Sequence, residues 1–148
     1  MRSATSKHLT QEDYDMASEI NFKLVLVGDA AVGKSQLALR FCKNTFNSNP
    51  KATIGVEMMK KVLKIDTYDN TSTQYVGAHI WDTAGQERYK ALSSLYFKGA
   101  VGALLVFDLT SNESFENVQD WLKLIRDKAD PNVVIILIGN KSDLVERR

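Results

Sequence analysis

The sequence predicts a single α/β domain in which a mostly parallel sheet is covered by helices on both faces. Three observations carry that expectation. The apolar runs at 24–27, 101–107 and 133–138 are continuous rather than alternating, as strands buried on both faces are. Between the last two runs, Phe115, Val118, Leu122 and Ile125 recur at helical spacing. A glycine-rich string, Gly28-Asp29-Ala30-Ala31-Val32-Gly33-Lys34-Ser35, joins the first strand directly to a helical stretch. The length of 148 residues fits one domain large enough to bury a core.

In chain order, residues 1–20 are polar and read as a flexible arm, and the folded domain spans 21–148. Residues 22–27 form an apolar, β-branched strand, and 34–42 a helix with Leu37 and Phe41 on one face. The segment 56–65 is interrupted by Lys60, Lys61 and Lys64, which suits an edge strand whose charges discourage further pairing. Residues 66–74 make a long, polar hairpin connection, and 76–81 a strand closed by Asp82. The long helix after 101–107 starts with a capping box of Thr110 and Glu113, and Pro131 marks its end. Trp121 on that helix reads as packing. Strand 133–138 follows, and no internal repeat or second domain is seen.

The string from Gly28 to Ser35 fits G-x-x-x-x-G-K-[ST], a phosphate-binding loop whose backbone N–H groups curl around phosphate oxygens. Its strand, loop, helix setting is the one that motif requires; a plain glycine turn before a helix is the alternative. The N–H groups of Gly33, Lys34 and Ser35 open the helix, where its dipole adds partial positive charge. The Lys34 ammonium would bridge the terminal phosphates. The Ser35 hydroxyl would take one position on Mg²⁺, a hard ion that prefers oxygen ligands.

Asp82 supplies the carboxylate such an ion needs, at the C-terminal end of a strand, where a doubly wound sheet places its ligands. Gly85 can bring a backbone N–H to the terminal phosphate, and the Gln86 amide can orient an attacking water. Taken alone, Asp-Thr-Ala-Gly is an ordinary polar turn. Asn140-Lys141-Ser142-Asp143 follows another strand. The Asp143 carboxylate can accept two parallel N–H bonds from guanine, whereas adenine presents no matching donor pair. Lys141 can lay its aliphatic stem over the base, and Asn140 can tie this loop to the phosphate loop.

With these strings in order, the chain resembles the small GTPases, and within them the Rab family of membrane-traffic switches, over residues 22–144. Its Rab-like signatures are Ile54-Gly55-Val56-Glu57, Trp81-Asp82-Thr83-Ala84-Gly85-Gln86-Glu87-Arg88-Tyr89, Tyr96-Phe97-Lys98-Gly99-Ala100 and Leu105-Val106-Phe107-Asp108-Leu109-Thr110. Gly99 to Val106, with Glu116-Asn117-Val118, Trp121-Leu122 and Arg126-Asp127, is most like the recycling-endosome branch.

The resemblance implies a P-loop NTPase fold, a Ras-like G domain. It also implies GTP and GDP as ligands, Mg²⁺ as cofactor, and slow hydrolysis of GTP in vesicle and protein transport. Gln86, Lys34 and Gly85 would be catalytic. Asp29, Ala30, Ala31, Val32, Gly33, Lys34, Ser35, Gln36, Phe46, Thr53, Gly85, Asn140, Lys141 and Asp143 would contact nucleotide, with Phe46 packed across the guanine. Ser35, Thr53 and Asp82 would hold the metal, Thr53 only when the terminal phosphate is present. Residues 44–57 and 85–95 would be switches ordered by triphosphate. Ile54, Met58, Trp81 and Tyr96 would meet effectors; exchange factors and activating proteins would act through the same switches. The protein would work at the cytosolic face of endosomal or other intracellular membranes.

The sequence departs from the family at several points. Ala30 and Ala31 stand where many Rabs have serine and glycine, and a methyl beside the terminal phosphate can crowd Gln86 or an incoming arginine. Met58 replaces the usual phenylalanine, and the 66–74 connection is longer than usual. The final strand, helix and prenylated tail of the family do not lie within residues 1–148, so an incomplete domain with exposed apolar surface, prone to aggregate, is expected.

The formal net charge of +1, with no basic stripe, argues against nucleic acid as a partner. No run has the length of a membrane span, no apolar signal region precedes the domain, and Met1-Arg2 does not match a myristoylation pattern. The lone Cys42 reads as a small core residue. His8 and His79 read as incidental. Two other readings stand beside the GTPase: a guanine-nucleotide-binding interaction module with little turnover, and a metabolic P-loop kinase or ATPase, against which Asn140 to Asp143 argues.

Overall fold

The computed structural model describes Thr10 and residues 20–66, 72–84 and 93–148. The elements run β1 (Asn21–Val27), α1 (Lys34–Lys43), β2 (Val56–Asp66), β3 (Thr73–Thr83), α2 (Ser93–Phe97), β4 (Gly102–Asp108), α3 (Asn112–Glu116), α4 (Val118–Lys128) and β5 (Val134–Asn140), and a 3₁₀ turn at Val145–Arg147. The five strands form one sheet in the order β2-β3-β1-β4-β5. β1 pairs in parallel with β3 and β4, β4 pairs in parallel with β5, and only β2 runs antiparallel, against β3. The α/β class and the mostly parallel sheet expected from the sequence are therefore what the chain forms.

Side chains of β1 alternate between two cores. Val25 and Val27 join Phe97, Ala103, Leu105, Trp121 and Ile125 under α4, whereas Leu26 joins Val32, Ala38, Met59, Ile80 and Val106 under α1. Because both faces are covered, β1 and β4 carry apolar residues at successive positions, which removes the alternation a one-faced sheet would show. The edge assignment of 56–65 also holds: β2 pairs on one side only, and Lys60 and Lys64 are exposed. The connection at 66–74 is anchored by Thr73 Oγ1 donating to Asp66 Oδ1 at 3.0 Å; residues 67–71, like the arm at 1–9 and 11–19, lie outside the described residues.

Three local expectations require correction. Phe41 does not share the buried face of α1; it is exposed beneath the Lys61 ammonium, 4.5 Å from its ring centroid, and Ala38 occupies the core. The helix after β4 is two pieces divided at Asn117, and its cap is Ser111, whose side chain accepts from Ser114 N–H, rather than Thr110. Thr110 instead turns its N–H and O–H to Asp108 Oδ1, at 2.8 and 2.7 Å. Phe115 belongs to the short first piece and stacks obliquely on Phe107, outside the core, while Trp121 and Ile125 carry the buried stripe. Strand β5 is covered less than expected: Val134, Ile136 and Leu137 are half exposed or more.

Candidate nucleotide-binding site

The loop between β1 and α1 lies at the C-terminal ends of β1, β3, β4 and β5, the edge where an open α/β sheet places its ligands. Two glycines allow its path. Gly28 has φ +138, and a Cβ there would lie 2.0 Å from Val106 O. Gly33 has φ +99, and a Cβ there would meet Asn140 Nδ2 at 2.3 Å, so only glycine lets the β5 end approach. The loop conformation leaves the first N–H groups of α1 available to an anion.

Lys34 is buried, and its ammonium arcs back to donate to Gly28 O at 2.8 Å and Asp29 O at 2.7 Å. Burial lowers its pKa to about 8, opposed by the nearby Asp82 and Asp29 carboxylates. Beside it, Ser35 Oγ and Thr53 Oγ1 share a hydrogen bond of 2.6 Å, although the two residues come from α1 and the loop before β2. Asp82 is fully buried, and neither carboxylate oxygen has a hydrogen-bond partner among the described residues. Burial pushes its pKa up, against the lowering influence of the nearby Ser35 hydroxyl and Lys34 ammonium. Two hydroxyls and an orphaned carboxylate are the oxygen donors a magnesium ion takes, and an ion there would supply the charge that Asp82 lacks, so the residues fit it. A cavity of about 310 Å³ is lined by Ala30, Ala31, Gly33 to Gln36, and residues 50–53.

On the base-reading side, Asn140 Nδ2 donates to Val32 O at 2.8 Å, joining the end of β5 to the phosphate loop. Lys141 adopts φ 62, and its ammonium lies 2.6 Å from Asp108 Oδ2. Asp143 is exposed. Gln36 Oε1 accepts the Asn47 N–H at 2.7 Å, at the start of the segment expected to be the first switch. Phe46, Ile54 and Met58 are exposed, Phe46 and Ile54 strongly so. Trp81 and Tyr96 are partly buried, with the Lys23 ammonium 4.1 Å above the Trp81 ring. Gly85 and Gln86 lie outside the described residues.

One set of contacts, between the phosphate loop and α4, joins residues far apart in sequence. The Asp29 carboxylate turns towards α4, where Oδ1 accepts from Trp121 Nε1 at 2.7 Å and Oδ2 from Asn117 Nδ2 at 2.8 Å. Trp121 is packing, as expected, and also a donor. A negative charge inside a phosphate-binding loop was itself the signal, since it must turn from the anion and be held by donors elsewhere.

A phosphate-loop motif at the carboxyl edge of a sheet wound on both faces, with hydroxyl and carboxylate oxygens gathered beside it, is the architecture of the P-loop NTPase fold. The Ras family model matches residues 23–148, and the chain belongs to that family. It is 56% identical over 135 residues to Ras-related protein Rab11D of Lotus japonicus, covering 91% of this chain and 57% of the relative. It is 58% identical over 123 residues to Ras-related protein YPT3 of Nicotiana plumbaginifolia, covering 83% and 54%. To Ras-related protein YPTC6 of Chlamydomonas reinhardtii it is 51% identical over 141 residues, covering 95% and 61%. The chain thus spans little more than half the length of these curated relatives.

Proposed function

We propose that the protein is a guanine-nucleotide switch of the Rab kind, which binds GTP and GDP and hydrolyses GTP to GDP and phosphate. The observation that carries this is the gathering of Lys34, Ser35, Thr53 and Asp82 around one loop, with Asn140 fastening the Asn140 to Asp143 string to the same loop. Lys34 and the N–H groups of Gly33 to Ser35 neutralise charge on the terminal phosphates. Ser35, Thr53 and Asp82 hold Mg²⁺, which when bound offsets the phosphate charge. Gln86 positions the attacking water, the Gly85 N–H meets the terminal phosphate, and Asp143 selects guanine. The Rab11D and YPT3 names support a place in vesicle traffic at intracellular membranes, with exchange factors, activating proteins and effectors meeting residues 44–57 and 85–95. Among the described residues no helix is long and apolar enough to cross a membrane.

The reading is tested by phosphate release from GTP. Slow turnover is expected, reduced further by Gln86→Leu; a parent rate no higher than that of Gln86→Leu would overturn the assignment of hydrolysis.

A further inference from the structure

Ala31 sits in the phosphate loop at φ 61, in the left-handed region that a residue with a Cβ enters at a cost. Such a conformation persists only where its surroundings over-determine it. Here the loop is pinned on both sides of the exposed Ala30–Ala31 pair. On the far side, Asn140 Nδ2 holds Val32 O. On the near side, Asn117 and Trp121, one helical turn apart, each donate to a different oxygen of the Asp29 carboxylate. Trp121 cannot easily drift from that position: it is buried among Val25, Val27, Phe97 and Ile125. Asn117 stands at the break between α3 and α4, and its backbone carbonyl accepts the Trp121 N–H at 3.1 Å, so the two donors move as a unit. Both bonds are made to an ionised acceptor, the stronger kind.

We propose that the clasp of Asn117 and Trp121 on Asp29 keeps the phosphate loop in its nucleotide-holding shape against the strain at Ala31, and so sets the rate of nucleotide release. Asn117 and Trp121 are thereby positioning residues, each acting through the Asp29 carboxylate. The inference rests on the nucleotide-binding reading above. It requires an interaction between two positions, because a glycine at 31 takes the left-handed conformation freely and needs the clasp less.

The test is a double-mutant cycle on the whole chain, read as the dissociation rate of fluorescent GDP in the presence of Mg²⁺. Trp121→Phe keeps an aromatic ring in the core, removes the indole donor and gives up some buried volume. In the Ala31 parent it is expected to speed GDP release about tenfold, the loss of one charge-assisted hydrogen bond. In the Ala31→Gly background the same substitution is expected to change the rate by no more than about twofold, since the strain it opposes is gone. The ligand-free thermal midpoint is expected to fall equally in both backgrounds, which separates loss of packing from loss of positioning. An unchanged release rate, or an equal acceleration in the two backgrounds, would overturn the inference while leaving nucleotide binding intact. Failure of the parent itself to bind GDP would overturn the nucleotide reading, and the inference with it.

Discussion

Asp82 is a carboxylate buried without a hydrogen-bond partner among the described residues, and burial raises its pKa. The Lys34 ammonium and the Ser35 hydroxyl offset that buried charge in part, and a bound cation would offset the remainder. Asp82→Asn is therefore expected to leave the ligand-free melting temperature unchanged or higher, while removing the Mg²⁺-dependent part of nucleotide affinity, at least about tenfold. A drop of several degrees together with an intact Mg²⁺ dependence, by calorimetry and titration, would contradict this. Asp108 behaves in the opposite sense. Partial burial would raise its pKa, yet the Lys141 ammonium and the Thr110 N–H and O–H outweigh it and hold it below the ordinary carboxylate range. A carboxyl depressed in the folded state contributes stability above its unfolded pKa of about 4, and loses that contribution as pH falls through the folded value. The stability difference between the parent and Asp108→Asn is thus expected to shrink as pH is lowered from about 5 towards 3. A difference that is constant over that range would show that the pair does not titrate as described. The gathering of Lys34, Ser35, Thr53 and Asn140 about one loop was legible because the phosphate-loop pattern and the strings after it set those residue types in that order. The Asp29 clasp was not, since its donors lie 88 and 92 residues away in sequence.

At the scale of elements, the strands were the most legible part, and β1 and β4 owe this to burial on both faces. The helix after β4 was read too simply. Phe115 and Val118 keep helical spacing across Asn117, so periodicity alone does not reveal the break there. The start was misplaced by one residue because Thr110 and Ser111 are both good caps, and the choice between them is made by Asp108. That carboxylate draws the Thr110 N–H and O–H to itself, leaving Ser111 to accept the Ser114 N–H at 3.2 Å. Ser114 then closes the turn, its hydroxyl accepting the Asp108 N–H at 3.0 Å. Ser111→Ala is expected to cost about 1 kcal/mol in a urea titration, the usual worth of a cap. No measurable loss would mean that water satisfies the first turn of α3 unaided.

For the whole molecule, the layout of two cores on one sheet followed from the continuous apolar runs, but the covering of its last strand did not. Val134, Ile136 and Leu137 remain substantially exposed on β5, with Val101 and Val145 exposed as well. Apolar residues exposed on an edge strand promote association, so the 148-residue chain is expected to scatter light increasingly at high concentration and to bind a hydrophobic dye. A cooperative, concentration-independent thermal transition would refute that. Bound nucleotide should oppose it, since a ligand held by the folded state alone stabilises that state by mass action. The most direct measurement is a titration of fluorescent GDP into the dilute protein with Mg²⁺, competed separately by GTP and by ATP. Displacement by GTP and not by ATP is the expected result, with the selectivity lost in Asp143→Asn. Equal displacement by ATP, or no binding of GDP at all, would contradict a guanine-specific site.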